Sequence, residues 1–288
     1  MEEMKILDGK SVAQEILDDI SNEIDEIKRK GDRIPRLDMI LVGTDYGSIK
    51  YVGMKERTAK DVGMEGVVHN LDMNVNTVDV INLVEKLNKD DDVDGFMIQL
   101  PLPEHLNTRL ILDSINPQKD VDGLTAINLG KLFQKDTKAI APATPLGIMK
   151  LLDAYNIKIF GKKCVIIGSS NIVGTPLAAM MIEKNATVTI CNKHTINLQE
   201  ISSTADVLSS APGHALLIKK EFVRNGAVII DVGSNRHPVP GLLVGDVDWN
   251  SIRGIPSYIT PVPGGVGPMT ISCLMLNLMT CYYNGKNK

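Results

Sequence analysis

Three short segments carry side chains that could move protons. The segment "YVGMK" places Tyr51 and Lys55 four residues apart, so that on a helix both would lie on one face. The segment "MIQLPLP" ends an apolar run at Gln99, and "DVDGL" adds Asp120 and Asp122 in a turn. An amine that transfers protons near neutral pH needs a pKa below its usual value of about 10.4, and burial in a cleft can lower it. These residues are candidates for acid–base chemistry on a bound small molecule, and the alternative is a surface Lys55 beside a half-buried Tyr51.

A second candidate centre is the segment "VIIGSSNIVGTP", residues 165–176. A dinucleotide-binding loop reads G-x-G-x-x-G, and here Gly168 matches while Ser170 and Val173 stand at the other two glycine positions. The segment lies between an apolar strand and a predicted helix that begins near Gly174, and a helix N-terminus offers free N–H groups to a diphosphate. A structural turn remains the alternative. The predicted cofactor contacts in this loop are Gly168, Ser169, Ser170, Val173 and Gly174.

The end of the next strand, "TICNKHT", bears on which cofactor binds. An acidic residue at this point favours NAD, whereas a basic one favours the 2′-phosphate of NADP. Asn192 stands where the acid would be, and Lys193 and His194 follow it. The segment therefore favours NADP, with NAD possible, and the alternative is that Lys193 is an ordinary surface lysine.

Alternating helix and strand patterns position these groups. The first series has predicted helices at 11–30, 48–64, 77–89 (with Thr77 as N-cap) and 107–115, and strands at 37–42, 66–70 and 94–100. The second has a helix at 146–155 and strands at 163–168, 186–191, 205–211 and 227–233, all apolar enough to be buried on both faces. We predict an α/β fold of two domains. Residues 1–141 form an N-terminal α/β catalytic domain, residues 142–266 form a Rossmann-like dinucleotide-binding domain, and a C-terminal helix in 267–288 returns to the first.

Composition limits the functional classes. A net charge of −4 and scattered Lys and Arg residues argue against nucleic acid as a partner. The longest apolar run, "ISCLMLNLMTCYY", is too short to span a bilayer, and the acidic start is unlike a signal peptide, so we expect a cytoplasmic protein without a membrane partner. The four cysteines are widely spaced, and we expect buried thiols and no metal site.

Taken together, these segments resemble one family, the bifunctional methylenetetrahydrofolate dehydrogenase/methenyltetrahydrofolate cyclohydrolases. The resemblance runs in order through "SIKYVGMK", "QLPLP", "DVDGL", "PATP", "GSSNIVGTP", "DVGSNR", "GDVDW" and "TPVPGGVGPMT". It implies oxidation of 5,10-methylenetetrahydrofolate by NADP and hydrolysis of the methenyl product to 10-formyltetrahydrofolate. It also implies tetrahydrofolate derivatives as partners, a role in one-carbon metabolism that serves purine biosynthesis, and a homodimer formed through the Rossmann domain.

The resemblance also implies residue roles. Tyr51 would stack on the folate, Lys55 would be the central group of the hydrolytic step, Gln99 would tune Lys55, and Asp122 would anchor the pterin ring. Further substrate contacts are expected from Ser48, Pro263, Gly264 and Gly265, and further cofactor contacts from Lys193, His194, Thr195 and Ser234.

The chain departs from the family pattern at three places. Ser169 stands where the family commonly has an arginine that contacts the NADP phosphate, and Asn192 and Lys193 replace the usual "HS" after Cys191. A lost charge-assisted hydrogen bond of roughly 1.5–3 kcal/mol would weaken NADP preference about ten- to a hundredfold, unless Lys193 or His194 compensates. Ala143 stands where many members have cysteine in "PCTP", so no thiol is needed there.

Other functions remain as alternatives. A short-chain dehydrogenase also has a Y-x-x-x-K pair, but there the pair follows the cofactor loop, whereas Lys55 precedes Gly168. A second alternative is an NAD-dependent methylenetetrahydrofolate dehydrogenase without hydrolytic activity. The presence of Lys55, Gln99 and Asp122 together argues against it. A hydroxy-acid dehydrogenase of the shikimate type and a nucleotide-sensing protein without catalysis are the remaining candidates.

Overall fold

The structure is a computed structural model that describes residues 4–236 and 242–286. The chain divides into two compact units. The first unit comprises Glu15–Ala143 and Ile271–Lys288, and the second comprises Met1–Gln14 and Thr144–Thr270. The predicted first domain began at residue 1, but the structure places the described residues 4–14 in the second unit.

The described residues form ten α-helices and eleven strands, an α/β chain as predicted. In chain order the first half contains β1 (Lys5–Ile6), α1 (Gly9–Arg29), β2 (Arg36–Val42), α2 (Tyr46–Asp61), β3 (Glu65–Leu71), α3 (Thr77–Lys89), β4 (Gly95–Ile98), α4 (Thr108–Asp113) and α5 (Ala126–Phe133). The second half contains α6 (Ala143–Ala154), β5 (Lys163–Ile167), α7 (Gly174–Glu183), β6 (Thr187–Cys191), α8 (Leu198–Ser202), β7 (Val207–Ser210), β8 (Val228–Asp231), β9 (Asn235–Arg236), β10 (Leu243–Val244), α9 (Trp249–Ile252), β11 (Tyr258–Ile259) and α10 (Val266–Lys286).

The first unit is built on a parallel three-stranded sheet in the order β3-β2-β4. In this register Met39 is the neighbour of both Val68 and Met97. Alternate residues of each strand face α2. Gly66 of β3 is one of them, because a Cβ at this position would contact Glu56 and Ala59 of that helix. The opposite face packs into an apolar core with α3 and α4. The sheet therefore fixes which side chains of β4 point toward α2.

One predicted helix start is wrong by one residue. The sequence favours Thr77 as the N-cap of α3, but the cap is Asn76, whose side-chain oxygen accepts a hydrogen bond from the Asp79 N–H at 2.9 Å. Thr77 instead accepts a hydrogen bond from the Asn107 N–H at 3.1 Å through its hydroxyl. Both residue types are good caps, and the three-residue spacing to Asp79 selects Asn76.

The second unit contains a six-stranded parallel sheet in the order β1-β11-β8-β7-β5-β6. The chain runs from β5 outward to β6 and then returns to β7 on the other side of β5. This reversal is the topological switch point at which doubly wound sheets bind ligands, beyond the carboxyl ends of the strands. The fold is Rossmann-like, as predicted.

One strand of this sheet, β6, is less buried than predicted. Strands β7 and β8 are buried throughout, and β5 is buried after its first residue. Strand β6 was also expected to be buried on both faces, but of its five residues only Cys191 is buried. It is exposed because it lies at the edge of the sheet, with β5 as its neighbour.

The two terminal segments complete the units. Strand β1 adds to the second-unit sheet beside β11, pairing Lys5 with Tyr258 and Ile6 with Ile259. In the first unit, α10 contributes Tyr282, whose hydroxyl donates to the Arg33 carbonyl oxygen at 2.7 Å. No helix among residues 4–236 and 242–286 is both long and apolar enough to cross a bilayer.

Candidate active site

The first unit places a lysine against two acceptors. Lys55 lies on α2 and is 7% exposed. Its Nζ is 3.1 Å from Gln99 Oε1 and 3.1 Å from Met97 Sδ. The Gln99 amide is oriented by its Nε2, which donates to the Leu100 carbonyl oxygen at 2.7 Å. The amide oxygen therefore faces the amine.

Burial and charge act together on this lysine. Desolvation lowers the pKa of the Lys55 amine from its usual value, and the nearby Asp122 carboxylate opposes that fall. Desolvation also raises the pKa of the half-buried Asp122 carboxyl; Lys55 opposes this rise and Asp120 adds to it. Both shifts favour the uncharged forms. The Lys55 amine therefore loses its proton, and becomes available as a base, at a lower pH than an exposed lysine does.

The loop that carries Asp122 is rigidly held. Asp120 is buried and accepts hydrogen bonds from the Thr125 N–H at 2.9 Å and from Asn128 Nδ2 at 2.9 Å. Gly123 has a φ of +69°, and a Cβ there would lie 2.6 Å from the Ile140 carbonyl oxygen. Asp120 thus shapes the loop, whereas Asp122 is coupled to Lys55.

A buried asparagine in α10 secures the same loop. Asn277 Nδ2 donates to the Val121 carbonyl oxygen at 2.8 Å and to the Ala141 carbonyl oxygen at 2.9 Å. The sequence showed Asn277 only as an interruption in an apolar run. A single polar residue within such a run is the signal that could have identified it, because buried amides need hydrogen-bond partners.

Two further predicted substrate contacts lie on α2. Ser48 is buried in the first turn, and its N–H donates to Oδ2 of the N-cap residue Asp45 at 2.9 Å. Tyr51 is half-buried. Spacings of three and four residues place Ser48, Tyr51 and Lys55 along one side of the helix. The structure therefore brings these three residues to one helix face.

The predicted cofactor loop joins β5 to α7 in the second unit. The Gly168 N–H donates to the Cys191 carbonyl oxygen at 2.8 Å, and a Cβ on Gly168 would lie 2.6 Å from the Ala211 carbonyl oxygen. Gly168 also has a φ of +116°. A Cβ on Gly174 would collide with the Gly168 carbonyl oxygen. Both glycines are therefore required for the chain to turn tightly at the switch point.

The remaining loop residues leave the start of α7 suited to a diphosphate. Ser170 closes the loop, since its Oγ accepts from the Val173 N–H at 3.2 Å and its carbonyl oxygen accepts from the Thr175 N–H at 3.0 Å. Val173 is the N-cap of the ten-residue α7 and provides no side-chain acceptor. Ser169 is exposed. The Val173 and Thr175 N–H groups are bonded within the loop and Pro176 has no N–H, so α7 offers an anion the positive end of its dipole and the Gly174 N–H. These residues fit the diphosphate of a dinucleotide.

The turn after β6 contains the predicted phosphate-binding cations. The Asn192 N–H donates to Thr195 Oγ1 at 2.8 Å, and Asn192 Oδ1 accepts from the His194 N–H at 2.9 Å. Lys193 and His194 are exposed. The Asn192 side chain thus supports its own turn, while the Lys193 and His194 side chains are exposed to solvent.

The other predicted contacts also lie in the second unit. Gly264 has a φ of +107°, and its carbonyl oxygen accepts from the Lys10 N–H at 2.9 Å. A Cβ on Gly265 would lie 2.6 Å from the Pro261 carbonyl oxygen. Pro263 follows a cis peptide bond and is exposed. Ser234 is exposed just beyond the end of β8.

Two buried carboxylates near the end of β8 were not predicted. Asp231 accepts hydrogen bonds from the N–H groups of Gly233, Asp246 and Val247 at 2.9–3.0 Å. Desolvation nevertheless raises the pKa of Asp231 to about 6. Asp246 accepts from Asn235 Nδ2 at 2.9 Å. These bonds fix the backbone on either side of Ser234, and the segments "DVGSN" and "GDVD" are the sequence signal for them.

No cluster of three metal-ligating His, Cys, Asp or Glu side chains occurs within residues 4–236 and 242–286. The four cysteines are buried free thiols. Desolvation raises the pKa of Cys164 to about 12.

Comparison with known proteins assigns both parts of the chain. Residues 7–122 match the catalytic-domain model of tetrahydrofolate dehydrogenase/cyclohydrolase, and residues 142–286 match the NAD(P)-binding-domain model of the same family. The bifunctional protein FolD of Halothermothrix orenii is 47% identical over 274 residues, which cover 95% of this chain and 96% of that protein.

Solved structures agree with the assignment. The bifunctional FolD methylenetetrahydrofolate dehydrogenase/cyclohydrolase from Campylobacter jejuni is 41% identical, with a TM-score of 0.94 over 98% of this chain and 99% of that chain. The Trypanosoma brucei enzyme, solved in complex with NADP and an inhibitor, is 33% identical, with a TM-score of 0.96 over the full length of both chains. By sequence and by structure, this chain belongs to the tetrahydrofolate dehydrogenase/cyclohydrolase family.

Proposed function

We propose that this chain oxidises 5,10-methylenetetrahydrofolate with NADP and then hydrolyses the methenyl product to 10-formyltetrahydrofolate. In the first step a hydride leaves the one-carbon bridge, giving the methenyl cation and reduced cofactor. In the second step water adds to that cation, the ring opens and one proton is released. The observation that carries the proposal is the buried Lys55 amine, 3.1 Å from the Gln99 amide oxygen, in a member of this family.

We assign the proton transfers of the hydrolytic step to side chains of the first unit. Lys55, with its lowered pKa, accepts and returns the proton that water loses, and Gln99 orients the amine. Asp122 anchors the pterin ring, Tyr51 stacks on it, and Ser48 contributes a further contact from the same face of α2. Pro263, Gly264 and Gly265 contribute backbone contacts to the substrate.

We assign cofactor binding to the second unit. NADP accepts the hydride when it is bound, and the chain's part in that step is to bind and align. The loop from Gly168 to Gly174 holds the diphosphate, and Lys193 and His194 contact the 2′-phosphate with Thr195 beside them. Ser234 contacts the nicotinamide end. NAD is the second candidate, because Ser169 provides no positive charge in the loop.

We further propose that two copies of the chain pair through the second unit and that the protein is cytoplasmic. Strand β6 is an edge strand with exposed Thr187, Thr189 and Ile190, and Ile182 of the adjacent α7 is 49% exposed. Such an edge can pair with its own copy across a two-fold axis. Four buried reduced thiols fit a reducing compartment.

The function is tested by mixing the purified chain with 5,10-methylenetetrahydrofolate and either NADP or NAD. Reduced nicotinamide and methenyltetrahydrofolate are followed together, beside the Lys55→Met variant. We expect kcat/KM to be higher with NADP and the methenyl compound to be hydrolysed by the wild type only. Accumulation of the methenyl compound by the wild type would remove the hydrolytic assignment, and lack of turnover with both cofactors would remove the dehydrogenase assignment.

A further inference from the structure

Lys55 has an unusual second acceptor besides the Gln99 amide. The sulfur of Met97 lies 3.1 Å from Lys55 Nζ, the same distance as Gln99 Oε1. Met97 is 1% exposed on β4, two residues before Gln99, and therefore projects from the same face of the sheet. The amine is thus held between an amide oxygen and a thioether sulfur in a buried site.

The chemistry of a thioether differs from that of the other groups around the amine. Its sulfur is a weak hydrogen-bond acceptor that carries no charge and cannot donate. It stabilises an ammonium more than a hydrocarbon would, because it is polarizable, but far less than a carboxylate. An uncharged weak acceptor can therefore direct the amine without keeping it permanently protonated.

Two carboxylates affect the charge state of the Lys55 amine, one directly and one through the other. Asp122 is the carboxylate whose charge acts on Lys55, and Asp120 acts in turn on Asp122. Asp120 is committed to the Thr125 and Asn128 hydrogen bonds. These carboxylates lie in the loop between α4 and α5, whereas Met97 lies within the sheet on β4, so a substitution of Met97 leaves both carboxylates in place.

We propose that Met97 is a positioning residue of the hydrolytic step, whose sulfur fixes the direction of the Lys55 amine together with Gln99 and favours its protonated form. This inference rests on the proposed function of Lys55. The Met97 sulfur contacts Lys55 and acts through it. Met97 therefore contributes to the polar environment of the Lys55 amine, besides Gln99 and Asp122, which were identified from the sequence.

The test compares Met97→Leu with a matched control, Met39→Leu. Met39 is paired with Met97 in the adjacent strand and is fully buried. Leucine keeps the volume of methionine and removes the sulfur, a change that cores usually tolerate. Hydrolysis of methenyltetrahydrofolate is measured against pH. In parallel, the Lys55 amine is titrated by NMR in protein labelled with 13C at lysine Cε, with Lys55→Met identifying its signal.

Loss of the sulfur disfavours the ammonium, so the pKa of Lys55 should fall. We expect the acidic limb of the kcat profile and the NMR titration of Met97→Leu to move together to lower pH by about half to one unit. The plateau kcat should fall several-fold while KM stays within about twofold, because the amine is less well directed. Met39→Leu should match the wild type. Met97→Ile also removes the sulfur and introduces a residue that favours strands. It should shift the kcat profile and the NMR titration in the same direction as Met97→Leu.

Two outcomes would overturn the proposal. In the first, both sulfur-deleting variants titrate like the wild type. In the second, Met39→Leu shifts as far as Met97→Leu, which would indicate general repacking. A wild type that fails to hydrolyse the substrate would instead reject the proposed function, while the NMR titration would still report whether Met97 acts on Lys55.

Discussion

At the scale of single residues, the central feature is the Lys55 amine, whose two hydrogen-bond acceptors, Gln99 and Met97, are uncharged. Gln99 presents an amide oxygen to Lys55 at 3.1 Å, and Asp122 supplies the negative charge that acts on it. With a neutral neighbour and a buried position, the amine loses its proton more readily than an exposed lysine. We therefore expect the identity of residue 99 to control the pH range of the hydrolytic step.

Replacing this amide by a carboxylate tests that control. In Gln99→Glu, a negative charge beside Lys55 should raise the pKa of the amine, and the donor to the Leu100 carbonyl oxygen is lost. We expect hydrolysis at pH 7 to fall at least about tenfold and the acidic limb of the kcat profile to move up by about one unit or more. An acidic limb at the wild-type position would contradict the role of the amide. The shift is opposite in sign to that expected for Met97→Leu.

Cofactor preference is also determined at this scale. Lys193 is exposed in the turn formed by Asn192 and Thr195, and Ser169 provides no positive charge in the cofactor loop. We expect Lys193→Ala to lower kcat/KM for NADP about tenfold, the effect of one charge-assisted hydrogen bond, and to leave kcat/KM for NAD within about twofold. Lys184→Ala, which removes an exposed lysine at the C-cap of α7, is the control. Equal losses with both cofactors would remove Lys193 from the 2′-phosphate site.

At the scale of secondary-structure elements, α10 supports the loop that holds Asp122. Its Asn277 side chain bonds the carbonyl oxygens of Val121 and Ala141. We expect Asn277→Leu to lower the free energy of unfolding by about 2–4 kcal/mol, because two buried acceptors lose their donor. KM for the folate should rise as well, since Val121 precedes Asp122.

Urea unfolding and steady-state kinetics measure both effects. Thr280→Ala is the matched control, because Thr280 is exposed on the same helix and bonds only the Leu276 carbonyl oxygen within it. That variant should change stability by less than about 0.5 kcal/mol. If Asn277→Leu unfolded like Thr280→Ala, the asparagine would have no part in holding the loop.

The sequence correctly predicted the features that depend on neighbouring residues along the chain. The apolar run of β5 and the tight turn at Gly168 after it were identified because strand burial and tight turns depend on adjacent residues. The exposure of β6 was missed because an edge position depends on strand order, which is non-local. The Met97–Lys55 contact was missed for a related reason, since it depends on how α2 packs on the sheet.

At the scale of the whole molecule, the chain does not divide at a single point. Of the described residues, 4–14 belong to the second unit, where β1 pairs with β11, and 271–286 belong to the first. The two-residue strand β1 has no periodicity that a sequence could reveal. The helices α1 and α10 each contribute residues to both units. Long helices shared in this way cannot be assigned to one domain by composition alone.

The proposed pairing of two chains is tested at the exposed edge of the second unit. Ile190 is 40% exposed on β6, and in a dimer built on this strand it would be buried against its copy. We expect the wild type to sediment at twice the mass of the chain and Ile190→Asp to sediment as a monomer, because a pair of buried carboxylates at the two-fold axis opposes association. Ile127→Asp alters an isoleucine that is 55% exposed on α5 of the first unit and should stay dimeric. A dimer that survives Ile190→Asp would place the interface elsewhere on the chain.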